Sequence, residues 1–213
     1  RYNSNAHERI LYTESHDAVA NGNQRVPSKI DQSNPGSYWA RKRSTLGAAL
    51  VLSSPGIPMI FQGQEMLEDG WFSDQDPVDW SKTNAYSKIR LLYKDLIALR
   101  TSRANTTRGL SGQGLNIHHV NNTDKVIAFH RWKSGGAGDD VIVVANFANK
   151  KWISTQNYRV GLPRAGRWYV RFNSDKKIYS ADFGDFGPAY VDAQNTPWNG
   201  MAYSASFSFA PYS

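Results

Sequence analysis

An apolar, β-prone run, Ile10-Leu11-Tyr12-Thr13, ends abruptly in Glu14-Ser15-His16-Asp17, a dense set of carboxylate, hydroxyl and imidazole groups. A strand that stops on His-Asp places ionisable side chains at its C-terminal end. In a parallel α/β barrel that end carries the active site, because the βα loops there hold the reacting groups while the opposite face serves stability. The same Ser-His-Asp run also reads as the cap of a following helix or turn, and spacing does not choose between the two. A further carboxylate, Glu65, ends the later run Ile57-Pro58-Met59-Ile60-Phe61-Gln62-Gly63-Gln64-Glu65. Glu14 and Asp17 stand an odd number of positions apart, so on a continuous strand they point to opposite faces. Glu65 can approach Asp17, at a distance the spacing leaves open. No convincing pair of catalytic carboxylates emerges from these residues.

The elements that must position these groups are legible on either side. Asn21-Gly22-Asn23-Gln24-Arg25-Val26-Pro27-Ser28-Lys29 and Asn34-Pro35-Gly36-Ser37 read as a long loop on the side of the reacting groups, and loops of that length are uncommon unless functional. Asn21 and Arg25 either contact substrate or hold the loop to itself. A helix is predicted over about 38–53, with Ser37 as N-cap and Trp39, Leu46, Ala49 and Leu50 at three- and four-residue spacings. Arg41-Lys42-Arg43 reads as its solvated face. Pro55-Gly56 stops it. Residues 57–61 suit a strand buried on both faces of a parallel sheet, with Pro58 tolerated near the start. Over 68–80, Trp71, Phe72 and Trp80 stand among Asp69, Asp74, Asp76 and Asp79, which suits either a sugar-lined loop or one pinned by its own aromatics. A second helix is predicted over about 85–100 from the stripe Ile89, Leu92, Tyr93, Leu96 and Ile97.

Beyond residues 101–107 the pattern turns from helical to β. Short runs at 115–120, 126–132, 141–146, 152–160, 168–173 and 203–209 are separated by turn clusters such as Asn121-Asn122-Thr123-Asp124. The last run alternates, with Tyr203, Ala205, Phe207 and Phe209 on one face. Many short strands with regular turn signals predict an antiparallel sandwich. The expected fold class is α/β plus all-β, divided into residues 1–104 and 105–213.

With 40% apolar and 13% aromatic residues the 213-residue chain can bury a core, and no segment approaches the run of about 20 apolar residues that spans a bilayer. A net charge of +7 invites a nucleic-acid partner. The Lys and Arg residues are scattered rather than gathered into a stripe, which argues against one. The absence of Cys excludes disulfides and thiol catalysis in this segment and fits a reducing, cytoplasmic setting. Arg1-Tyr2-Asn3-Ser4-Asn5 shows no signal-like apolar stretch. Neither a cofactor nor a metal is expected.

Tyr12-Thr13-Glu14-Ser15-His16-Asp17 followed by Ala18-Val19-Ala20-Asn21-Gly22 resembles the fourth sequence motif of the α-amylase superfamily (glycoside hydrolase family 13), in the form seen in 1,4-α-glucan branching enzymes. Gly56-Ile57-Pro58-Met59-Ile60-Phe61-Gln62-Gly63-Gln64-Glu65 resembles the motif of barrel strand eight, with Gln62 and Gln64 where relatives often carry an aromatic and an acidic or other polar residue. Asp76-Pro77-Val78-Asp79-Trp80 resembles the stretch before the last barrel helix. Gly161-Leu162-Pro163, Gly166-Arg167-Trp168 and Phe172-Asn173-Ser174-Asp175 stand in the order found in the family's C-terminal all-β domain.

The resemblance implies that residues 1–104 are the last two β/α units of an incomplete (β/α)8 barrel, and residues 105–213 a C-terminal β-sandwich. The length agrees, since a complete barrel alone takes about 250 residues. It implies an α-glucan substrate and 1,4-α-glucan branching: retaining cleavage of an α-1,4 link and transfer of the chain to a 6-hydroxyl. Asp17 is then a transition-state stabiliser that hydrogen-bonds the sugar at the cleavage point, and His16 donates to the same sugar. Retaining cleavage uses a nucleophile and an acid/base about 5–5.5 Å apart; the resemblance places both upstream of Arg1, so the segment alone is expected to be inactive. Two other readings stand beside this one, part of an α-amylase-type hydrolase and a non-catalytic glucan-binding or structural module. For the latter, Trp152, Trp168 and Trp198 are the starch-binding candidates.

Overall fold

The structure is a computed structural model that describes residues 5–153 and 158–213. Strand β1 (Ile10–Leu11) pairs in parallel with β2 (Ile57–Pro58), Ile10 opposite Ile57 and Leu11 opposite Pro58. The ladder runs through Ile57 N to Arg9 O and Met59 N to Leu11 O, each 2.8 Å. Pro58 lies between those donors, on the side of β2 that makes no such bond, so its missing N–H costs nothing. The expected strand over 57–61 is cut to two residues because the chain turns at once, Gln64 N bonding Phe61 O, with Gly63 at φ 78°.

Parallel strands need a long crossover. Here it holds α1 (His16–Val19), α2 (Val26–Ile30) and α3 (Tyr38–Ser53), so part of the expected loop folds into short helices. Ser37 caps α3 as the sequence predicts, its Oγ accepting from Ala40 N at 3.2 Å. The second predicted helix is α5 (Ser87–Arg100), preceded by the single turn α4 (Lys82–Ala85). Ala48 and Leu52 of α3 pack on Ile89, Leu92, Tyr93 and Leu96 of α5, whereas Ile97, expected on the same stripe, stays 39% exposed. A complete (β/α)8 barrel is not evident in these residues.

The second half is antiparallel. Strands β3 (Gly114–Asn121), β4 (Val126–Trp132) and β5 (Val141–Asn146) form one sheet in that order. Strand β6 (Tyr158–Leu162) pairs with β9 (Tyr203–Phe207), and β7 (Gly166–Tyr169) with β8 (Tyr190–Ala193). Val126, Ala128, Ile142 and Val144 face Tyr158, Val160, Phe207 and Phe209 across the sheets, the interdigitation of a sandwich core. Of the predicted strand 168–173 only the start is β7, and its partner β8 was not anticipated. The run 152–160 includes residues 154–157, outside the described ones; Trp152 forms a bridge with Phe209. Tyr203, Ala205, Phe207 and Phe209 share the core-facing side as expected; Ser204 on the other face is buried too, its Oγ donating to Thr196 O at 2.7 Å and accepting from Arg159 at 3.2 Å.

The two halves share interior. Tyr179 and Phe183 complete the α3–α5 core, and Arg131 of β4, fully buried, donates to the carbonyls of Ser53, Leu110, Gly112 and Gly114 at 2.6–3.1 Å. The basic run on α3 is not one solvated face. Consecutive helical residues point about 100° apart, so three in a row cannot all face solvent when one side of the helix is covered. Arg43 is exposed and Arg41 pairs with Asp182. Lys42 is fully buried against Asp175. Among the described residues, no helix is long and apolar enough to cross a membrane.

Candidate active site

The exit of β1 sorts its polar residues by direction. Thr13 turns in, its Oγ1 accepting from Gln64 Nε2. Glu14 is fully buried, one oxygen accepting from Val26 N at 2.8 Å and the other 3.4 Å from Arg25 Nη1. Arg25, 2% exposed, also donates to Gln62 O at 2.8 Å, and its guanidinium lies 4.8 Å from the centre of the Phe61 ring. Burial pushes the Glu14 carboxyl above its usual value, against the Val26 N–H and the charges of Arg25 and Lys29. Arg25 therefore holds the loop to itself, one of the two roles open to it from sequence. Asn21 is exposed in a left-handed turn at φ 55°.

Ser15 caps α1, its Oγ accepting from Ala18 N at 3.2 Å, so the capping reading of Ser-His-Asp is realised. The cap does not compete with the chemical reading. The helical turn throws His16 and Asp17 outward, their side chains 68% and 86% exposed, with Nε2 and Oδ1 3.2 Å apart. Glu14 and Asp17 do diverge, but because Asp17 lies in a helical turn rather than further along the strand. Glu65 sits half-buried in the single 3₁₀ turn Gln64–Met66. Burial drives the pKa of the Tyr93 hydroxyl far up, and the charges of Glu14 and Glu65 act on it in the same direction.

The acidic-aromatic segment combines its two readings. Lys82 Nζ lies 2.9 Å from Glu68 and 3.0 Å from Asp69, Glu68 also accepts from Asp79 N, and Phe72 packs edge-on to Phe61. These contacts pin the loop. Trp71 and Trp80 are left 52% and 72% exposed, and Tyr12 is 48% exposed beside the β1 exit. Among the starch-binding candidates, Trp152 packs on Tyr158 under Lys150, and Trp168 joins the sandwich core with its Nε1 bonded to Arg164 O. Trp198 remains 46% exposed.

A cavity of about 430 Å³ opens between α3 and β5, lined by Leu46, Leu50, Val143, Trp168 and Phe172 among others. Neither His16 nor Asp17 lines it. Among the described residues, no group of three or more His, Asp or Glu side chains is placed to hold a metal ion. An exposed carboxylate and imidazole can accept from and donate to sugar hydroxyls, and the carboxylate can stabilise a cation. The Glu14–Arg25 pair escaped the reading of the sequence; an acidic residue closing an apolar run and an arginine in the following loop were its available signal.

Residues 117–213 match the family model described as alpha amylase, C-terminal all-beta domain. The 1,4-alpha-glucan branching enzyme GlgB of Mycobacterium sp. (strain JLS) is 31% identical over 93% of this chain and 26% of its own length. That of Marinobacter nauticus (strain ATCC 700491 / DSM 11845 / VT8) is 29% identical over 96% of the chain and 32% of its own. The chain thus spans about a quarter to a third of the length of these curated relatives. Among solved structures, a pullulanase from Anoxybacillus sp. LM18-11 complexed with maltotetraose aligns over 96% of this chain and 28% of its own, with TM-score 0.57 and 19% identity. A cyclomaltodextrinase aligns over 95% and 27%, with TM-score 0.59 and 16% identity. The sequence similarity is to the α-amylase superfamily and, over nearly the whole chain, to its 1,4-α-glucan branching enzymes.

Proposed function

We propose that this relative of the branching enzymes works within an α-glucan-active enzyme, in which residues 1–104 form the last two β/α units of a catalytic barrel and residues 105–213 its C-terminal sandwich. The reaction is 1,4-α-glucan branching: an α-1,4 link is cleaved with retention and the chain is passed to a 6-hydroxyl. The observation that carries this reading is the projection of His16 and Asp17 from the exit of a strand with a parallel neighbour. Active sites of parallel barrels lie at that end. The glucan named for the neighbouring pullulanase, maltotetraose, and the function named for the GlgB relatives support the substrate class.

Asp17 accepts from hydroxyls of the sugar at the cleavage point and stabilises the oxocarbenium-like transition state, and His16 donates to the same sugar. A charge of this kind favours the cationic transition state over the neutral ground state, which is what raises a rate. The nucleophile and the acid/base come from other residues of the longer enzyme, so residues 1–213 alone do not turn over amylose. The test is Asp17→Asn in the full-length gene product, with amylose turnover and branch formation both measured. Turnover falls about a hundred- to a thousand-fold, with glucan affinity changed much less. Near-normal turnover would remove Asp17 from the reaction.

A further inference from the structure

The orientation of His16 and Asp17 rests on a side-chain pair that does not touch the sugar. Glu14 and Arg25 are respectively fully buried and 2% exposed, and they join three segments of the chain. Glu14 ends β1 and is followed directly by the cap residue Ser15. Its carboxylate accepts from Val26 N, the first residue of α2. Arg25 reaches Gln62 O beyond the exit of β2 and lies over the Phe61 ring, while its own N–H donates to Gly70 O at 2.7 Å. One ion pair thus ties the exits of both parallel strands to the loop that covers them.

We propose that Glu14 and Arg25 are positioning residues that fix the angle at which the α1 turn presents His16 and Asp17, an inference that rests on the catalytic reading of Asp17. The energetics support a functional origin. A buried ion pair is often no more stabilising than a packed apolar substitute, and its loss of solvation exceeds its Coulombic gain unless the geometry is excellent. At 3.4 Å the contact between Arg25 and Glu14 is long for a charge-assisted bond, and burial raises the Glu14 carboxyl pKa rather than lowering it. The pair adds little over a packed apolar substitute, and what it supplies is a fixed relation between the strand exits and the loop. His16 and Asp17 have few restraints of their own, being joined to each other and projecting into solvent.

Glu14→Gln keeps an acceptor for Val26 N and removes the charge facing Arg25; Arg25→Lys keeps the charge and loses the planar guanidinium, whose Nη1 serves both Glu14 and Gln62 O and whose face lies over Phe61. In the full-length enzyme each variant lowers kcat of the folded protein about 10- to 100-fold, the scale of a misplacement near 1 Å, with KM nearly unchanged; Glu14→Gln also lowers the melting temperature, because the buried Arg25 charge loses its carboxylate. Combined with Asp17→Asn, Glu14→Gln adds no further loss, because it acts through the carboxylate already neutralised. Independent multiplication of the two losses, or normal kcat in Glu14→Gln while Asp17→Asn is impaired, would overturn the positioning role. Normal turnover in Asp17→Asn would instead overturn the catalytic reading. A second measurement needs no turnover: the NMR signals of the His16 ring, assigned with His16→Ala, shift in both variants. Unchanged His16 signals in folded Glu14→Gln and Arg25→Lys would also overturn the proposal.

Discussion

Lys42 Nζ of α3 lies 2.8 Å from Asp175 Oδ1, both side chains are fully buried, and the two residues are 133 positions apart. The carboxylate also accepts from Gly184 N at 3.2 Å and Phe186 N at 3.0 Å. Lys42 therefore joins the helical half to a loop whose backbone donors converge on the same anion. Removing one partner of a buried pair strands the other charge and costs about 3–5 kcal/mol. Asp175→Ala loses more stability than Lys42→Met, because it strands the ammonium and two N–H groups, whereas the methionine variant leaves the carboxylate with two donors. Denaturant unfolding of both variants checks the order. Equal losses would contradict it.

Arg131→Met removes donors from four carbonyls that close the junction between α3 and β3. Each buried acceptor left without a partner costs about 1–3 kcal/mol. The variant is expected to lose at least about 3 kcal/mol, seen as a lower denaturation midpoint. A change under about 1 kcal/mol would mean that water replaces the guanidinium at this junction.

His119 gives the sandwich a pH dependence. Asn199 Nδ2 donates to its Nδ1 at 3.0 Å, while Asn199 Oδ1 accepts from Gly161 N and so fixes the amide orientation. Nε2 then carries the proton and lies 2.6 Å from Tyr158 Oη. Protonating Nδ1 would set two donors against each other. Burial lowers the pKa of His119, with the Asp124 charge opposing, and burial likewise lowers that of His118. The unfolded chain then binds more protons than the folded one as the solution is acidified, so this contribution is complete above about pH 6.5 and lost as pH falls towards the lower folded values. Urea midpoints fall from pH 7.5 to pH 5.5, and His118→Gln combined with His119→Gln flattens that part of the slope. An unchanged slope would refute the assignment.

Trp71 and Trp80 project from a loop held by Glu68, Lys82 and Phe72. If they stack on glucan, each alanine variant weakens retention in glycogen-containing affinity gels about fivefold, near 1 kcal/mol, without a change in melting temperature. Unaltered mobility in both would remove them from the binding surface.

On the proposed branching role, His16→Ala in the full-length enzyme lowers turnover by less than Asp17→Asn does, since a lost hydrogen-bond donor is worth less than a lost charge at a developing cation. Steady-state kinetics on amylose checks the order, and a larger loss for His16→Ala would assign it a role in proton transfer.

The sequence by itself determined the features that local spacing encodes. Ser37 announced the start of α3 and Pro55-Gly56 its end, the stripe of Ile89, Leu92, Tyr93 and Leu96 marked α5, and the apolar runs at 126–132 and 141–146 became β4 and β5 with those bounds. His16 and Asp17 stand out as candidates because ionisable residues closing an apolar run are a one-dimensional signal. Tertiary structure alone decided which neighbours turned inward. Lys42 is buried and Arg43 exposed because Asp175 arrives from the other half of the chain, and Glu14 is buried while Asp17 is not because Arg25 and Val26 fold back over the β1 exit. Ser204 is hidden and β8 exists for the same reason, since burial and strand pairing depend on partners that residue type and local periodicity do not specify.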